Sequence, residues 1–156
     1  MATEKRTKTF APFPPEAMFD LVADVERYPE FLPHCAALRV VERGGADPQG
    51  RETLVADMVV AYRAFRETFR SRVTLDRPAL RIEAEYLEGP FRHLRTVWRF
   101  EQAPDGTEID FTISFAFSNF ILQAAAAPVF EKVFMRMTDA FIRRAHDLYG
   151  SVGIES

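Results

Sequence analysis

Between residues 37 and 117 apolar and polar side chains alternate with period two, in blocks separated by Gly, Pro and Asp. That period marks strands with one covered face and one wet face. Residues 38–42 predict a short strand, followed by a loop containing Gly44-Gly45, Pro48 and Gly50. The stretch 51–62 predicts a long strand with Leu54, Ala56, Met58, Val60 and Tyr62 on one face. Beyond a turn at Arg63-Ala64, Phe65, Phe69, Val73 and Leu75 alternate with Arg66, Arg70, Arg72 and Asp76, and Pro78 stops the run. Leu80, Ile82, Ala84 and Tyr86 then oppose Arg81, Glu83 and Glu85. A Glu88-Gly89-Pro90 turn leads to a strand that points Leu94, Trp98 and Phe100 inward. Pro104-Asp105-Gly106 predicts a hairpin. In the last strand Ile109, Phe111, Ile113, Phe115 and Phe117 face one way, and Asp110, Thr112 and Ser114 the other.

Helical spacing brackets this block. Residues 6–13 predict a first strand stopped by Pro14-Pro15, after which Met18, Phe19, Val22 and Ala23 predict a helix ending near residue 24. A second short helix is expected over residues 25–31, closed by Pro33. At the other end, Phe130, Phe134, Met137, Phe141 and Leu148 line one side of a helix over residues 128–149. Such a helix would be about 33 Å long, enough to lie along strands of about 37 Å. Pro128 either begins it or kinks it after a turn of Ala124 to Ala127. The pattern is that of an α+β protein: a curved antiparallel sheet of about seven strands around a long C-terminal helix, with two short helices after the first strand. One domain is expected over residues 1–156, its core near 6–149, without repeat or linker.

Composition narrows the chemistry. The chain has 156 residues, 47% hydrophobic and 28% charged, with 15 Phe against one Trp and four Tyr. A Phe-rich interior offers large apolar area and little hydrogen bonding. The formal net charge of −3 argues against DNA or general nucleic-acid binding, which needs a positive surface. The single cysteine, Cys35, leaves no disulfide or Cys metal framework and suits a reducing cytoplasm. Residues 1–13 lack a continuous apolar run, so no leader or anchor is expected there. Nothing approaches the roughly 18 apolar residues needed to span a bilayer.

Three local runs resemble the coenzyme Q-binding START family, which also contains the ribosome-association toxin RatA. They are Asp24-Val25-Glu26-Arg27-Tyr28-Pro29-Glu30-Phe31-Leu32-Pro33-His34-Cys35, then Glu88-Gly89-Pro90-Phe91 with Leu94 and Trp98-Arg99-Phe100, then Phe115-Ala116-Phe117-Ser118-Asn119. The resemblance covers residues 7–149. It departs at Thr96-Val97, where some relatives carry glycine before the tryptophan and the bulkier residue narrows the space behind the strand. The order of strand, two helices, six strands and long helix is that of the helix-grip fold of START and birch-pollen-allergen-like proteins. The resemblance implies a hydrophobic cavity between sheet and helix, lined by Phe31, Leu32, Pro33, Phe69, Phe91, Leu94, Trp98, Phe115, Phe130, Phe134 and Met137. The same side chains could equally fill the core.

Chemical constellations are sparse. His34, His93 and His146 lack metal-ligand spacing. His34-Cys35 is a tempting nucleophile pair, but neighbours on extended chain point apart, and a buried structural thiol is the plainer reading. Glu67 shares the inward face with Phe69, so it either reaches water at a strand end, pairs with an arginine such as Arg63, or touches a polar head group. Arg66, Arg70, Arg72, Arg95 and Arg99 share the outer sheet face, either as a solvated, partly paired charged surface or as a docking surface for ribosomal RNA or anionic lipid. The resemblance implies a non-enzymatic carrier of ubiquinone or a similar polyprenyl lipid, serving respiration or quinone biosynthesis, with no cofactor beyond that ligand. It would be cytoplasmic, loading at the inner membrane near Leu32-Pro33 and residues 89–91. The alternatives are RatA-type binding to the large ribosomal subunit and, third, polyketide cyclase or dehydratase chemistry.

Overall fold

The computed structural model describes residues 3–62 and 64–150. The chain runs β1 (Thr3–Ala11), α1 (Pro15–Ala23), a 3-10 turn (Val25–Arg27) and α2 (Tyr28–Phe31). Six strands follow: β2 (Cys35–Arg43), β3 (Arg51–Tyr62), β4 (Phe65–Asp76), β5 (Arg81–Glu88), β6 (Phe91–Ala103) and β7 (Gly106–Phe117). Two helices, α3 (Phe120–Met135) and α4 (Met137–Ala145), and a wide π-type turn (His146–Gly150) complete it. The strands make one antiparallel sheet in the order β1-β7-β6-β5-β4-β3-β2. Among the described strands β1 and β2 are the edges, and β2 is irregular between Cys35 and Ala37 and again between Val40 and Glu42. The helix-grip architecture expected from the pattern is thus present.

Sequence chemistry explains the joints. Pro15 opens α1, where its missing N–H costs nothing. At Gly106 an added Cβ would stand 2.2 Å from the Ala11 carbonyl oxygen, so β1 closes on the β6–β7 hairpin only over glycine. Gly89 (φ 141°) lies against Phe69, 2.9 Å from where a Cβ would be, and seats the β5–β6 turn on β4.

Some boundaries differ from the pattern. β1 starts at Thr3 and ends at Ala11 rather than spanning 6–13, and Phe13 turns to pack on His146 and Tyr149, at 4.9 and 5.8 Å between ring centres. The C-terminal helix begins at Phe120, eight residues before the expected start, so Pro128 lies inside α3. Asn119 explains this: its side-chain oxygen accepts the Leu122 N–H at 2.8 Å, a cap followed by helix-forming alanines. Pro128 faces solvent, where water can serve the carbonyl it leaves unpaired. A second joint at Arg136 separates α3 from α4. Leu148, expected on the sheet-facing stripe, is exposed because the chain leaves regular helical phase at His146.

The inward sheet face and the helices share one apolar core in which Phe19, Phe111, Phe115, Phe130 and Phe141 are almost wholly buried. Among the described residues no helix is long and apolar enough to cross a membrane.

Candidate functional site: the space between sheet and helix

Small side chains decide where the sheet and the helix fail to meet. Ala56 pairs across strands with Ser71. One step along, Val73 pairs with Ala84, and Ala84 with Thr96. These positions sit mid-sheet on the inward face, where larger residues would reach α3 and α4. They leave a cavity of about 80 Å³, bounded on the helix side by Phe134 and Met137 and elsewhere by Met58, Phe69, Leu94 and Trp98. Its polar groups are the hydroxyls of Ser71, Thr96 and Tyr28. The Tyr28 hydroxyl donates to the Val22 carbonyl, and burial raises its pKa. The volume is below the roughly 300–1,000 Å³ of typical ligand pockets, so most of the interior is filled.

Of the residues the resemblance placed around a cavity, Phe69, Leu94, Trp98, Phe134 and Met137 stand in its wall. Phe91, Phe115 and Phe130 instead pack with Phe117 into an aromatic cluster. Phe91 stacks on Phe117 at 4.5 Å, and Phe130 meets Phe91, Phe115 and Phe117 at 4.8, 5.5 and 5.8 Å. Phe31 lies outside the cavity, half-buried against Phe141 (5.2 Å) under the Arg144 guanidinium (5.1 Å). Leu32 is buried in the core and Pro33 is exposed. The alternation puts the small residues Ala56, Ser71, Ala84 and Thr96 on the inward face, but the lining implied by the resemblance does not include them. Their size was the available signal: alternation marks the face, and a patch of small residues on it marks the gap.

The three family-like runs have structural work. In the first, Tyr28 packs on Phe141 at 5.1 Å, and Glu30 accepts from Arg144 at 2.9 Å, so the proline-framed corner holds α4. The second and third meet where the Ser118 N–H donates to the Pro90 carbonyl at 2.9 Å.

Elsewhere, Cys35 is buried and its thiol donates to the Ala37 carbonyl at 3.7 Å, while the His34 ring turns to Tyr62 at 4.7 Å. Among the described residues no three His, Cys, Asp or Glu side chains stand where they could hold a metal. Glu67 is half-buried opposite Val60, three residues into β4, and Arg63, its candidate partner, lies outside the described residues. On the outer face Arg70 grips Asp57 with two bonds of 2.7 and 3.0 Å and lies 3.6 Å from Glu88. Arg95 donates to Glu83 at 2.7 Å. Arg66, Arg72 and Arg99 are exposed.

The chain resembles several known proteins. Residues 11–142 match the family model described as polyketide cyclase / dehydrase and lipid transport. The ribosome association toxin RatA of Pseudomonas aeruginosa is 34% identical over 151 residues, 96% of this chain and 100% of that protein. A mitochondrial coenzyme Q-binding protein homologue of Xenopus laevis is 31% identical over 140 residues, 86% of this chain and 54% of that protein. In fold, the Zhui aromatase/cyclase of a Streptomyces species superposes with a TM-score of 0.82 at 18% identity, over 94% of both chains. By the long match and the shared helix-grip architecture, the chain belongs to the polyketide cyclase / dehydrase and lipid transport family, in the START-like branch that includes RatA and the coenzyme Q-binding proteins.

Proposed function

We propose that this protein is a non-enzymatic carrier of a polyprenyl quinone or similar hydrophobic lipid, held between the sheet and α3–α4. The observation that supports it is the cavity itself: a mid-sheet gap walled by apolar side chains, with three hydroxyls and no ionisable acid–base pair. Apolar burial, at about 0.8 kcal/mol per methylene, supplies the affinity. At about 80 Å³ the closed form admits only a fragment of such a ligand, so loading opens the helix side, where Pro128 and Arg136 already interrupt the ladder. Coenzyme Q is the ligand class that the amphibian relative's name points to. The carrier works in the cytoplasm and needs no other cofactor. Organic extraction of natively purified protein, read by mass spectrometry, should recover quinone near one per chain. Ala84→Leu, which places a branched side chain in the gap, should reduce the yield to background while the protein stays folded. Quinone at the trace level of an unrelated protein would overturn the reading.

A second reading rests on the full-length match to a toxin named for ribosome association. Of the five outer-face arginines singled out, Arg66, Arg72 and Arg99 are then available to phosphate, since Arg70 and Arg95 already hold carboxylates. Cosedimentation with large ribosomal subunits, abolished by Arg66→Glu with Arg72→Glu, would support it; sedimentation unaffected by both would exclude that face.

A further inference from the structure

The first eleven residues of α3, 120–130, contain no charged side chain, although the helix lies on the surface. Its inner side buries Ala126, Ala127 and Phe130. Its outer side exposes Phe120, Ile121, Ala124, Ala125 and Pro128, which recur on one face at 3.6 residues per turn. Phe120 is 86% and Ile121 79% exposed. Scattered exposed apolar residues are ordinary, but two adjacent large ones leading an uncharged stripe are not. They are rigidly presented: Asn119 caps the helix, and the Gln123 side chain accepts the Phe117 N–H at 2.9 Å.

Three cations border the stripe. Lys132 and Arg136 continue the same face toward the C-terminal end of α3. Arg92 stands with Phe120 in the surface groove at the other end. Of the two acids nearest this face, Glu131 is held by Lys5 at 3.2 Å, and Asp139 lies beyond the Arg136 joint, on α4. An apolar stripe bordered by cations matches the interface of an anionic bilayer, with apolar groups entering the acyl boundary and long basic side chains reaching up to phosphate.

We propose that the outer face of α3 docks on an anionic phospholipid surface, with Phe120 and Ile121 inserted and Arg92, Lys132 and Arg136 on the lipid phosphates. The docking requires no ligand in the central cavity, so it stands or falls apart from the carrier reading. Flotation with vesicles of equal parts phosphatidylcholine and phosphatidylglycerol tests it. The protein should float with these, weakly with phosphatidylcholine alone, and less as salt is raised. Phe120→Ser with Ile121→Ser should weaken partitioning by about tenfold or more. Lys8→Glu, a charge change on the outer sheet face, should leave it unaltered. Ile121→Trp should show blue-shifted emission on adding the mixed vesicles, over the constant background of Trp98. Failure of the parent to float with anionic vesicles, or equal flotation of the double serine variant, overturns the proposal. So does a parent that ignores vesicles yet self-associates or sediments with ribosomes through Phe120 and Ile121, since the face then serves a macromolecule instead.

Discussion

Cys35 shows how position cancels a reactivity that composition suggests. The thiol follows a left-handed residue, His34 (φ 67°), so the imidazole goes to Tyr62 and the sulfur into the core. Burial pushes its pKa up to about 11. A thiolate is the nucleophile, and a free cysteine has a pKa near 8.5. At pH 8 iodoacetamide should therefore alkylate Cys35 at least about tenfold more slowly than free cysteine. Fast, pH-independent labelling would mean that the pair is activated after all. The extended-chain argument for neighbours pointing apart reached the right separation, but the left-handed turn that enforces it was not legible, since only coordinates show φ.

Among elements, β1 and β7 are joined by more than their ladder. Arg6 on β1 donates to Asp110 on β7 through two bonds of 3.0 and 2.6 Å, and the Asp110 side chain is only 6% exposed. The Arg6 bonds hold the Asp110 carboxyl below the ordinary aspartate range, against the opposing effect of burial. A depressed folded-state pKa means that the stabilisation is complete above the unfolded value, about 3.9, and is lost as pH falls through the lower folded value. In urea unfolding, Asp110→Asn should flatten the decline in stability on the acid side of pH 4–5. Arg6→Ala should destabilise more than Asp110→Asn at neutral pH, because it strands a buried carboxylate. An equal acid limb in parent and Asp110→Asn would refute the assignment. Period-two counting had placed Asp110 outward among solvated charges; that an outward residue can be covered by its own ion-pair partner lies beyond what alternation records. The start of α3 escapes the pattern for a related reason. Pro128 fits either a helix start or an interruption within a longer helix, and the structure has the second, because a proline on the solvent side of a capped, alanine-rich helix can be carried through.

At the scale of the molecule, the architecture was legible because it follows from two periods, 2 along the sheet and 3.6 at each end. Degree of filling was not, because periodicity identifies a face without saying whether opposing side chains meet. Phe115 and Phe130 satisfy the inward periods of their elements as Phe69 and Trp98 do, and Phe91 joins them through the register shift between Phe91 and His93, but these three close on one another while Phe69 and Trp98 face a gap. The difference comes from Ala56, Ser71, Ala84 and Thr96, residues too short to touch the helix. The interior is thus a mostly solid core with one soft spot beneath a jointed helix.

The two irregularities of β2 carry a consequence for life at high concentration. An open sheet ends in a row of unsatisfied amides that invites a stranger's chain to lie alongside and propagate. Twice along this border, at residues 35–37 and 40–42, the spacing of donors and acceptors slips. A straight incoming strand would fall out of step within a few residues, so this border of the sheet resists edge-to-edge polymerisation.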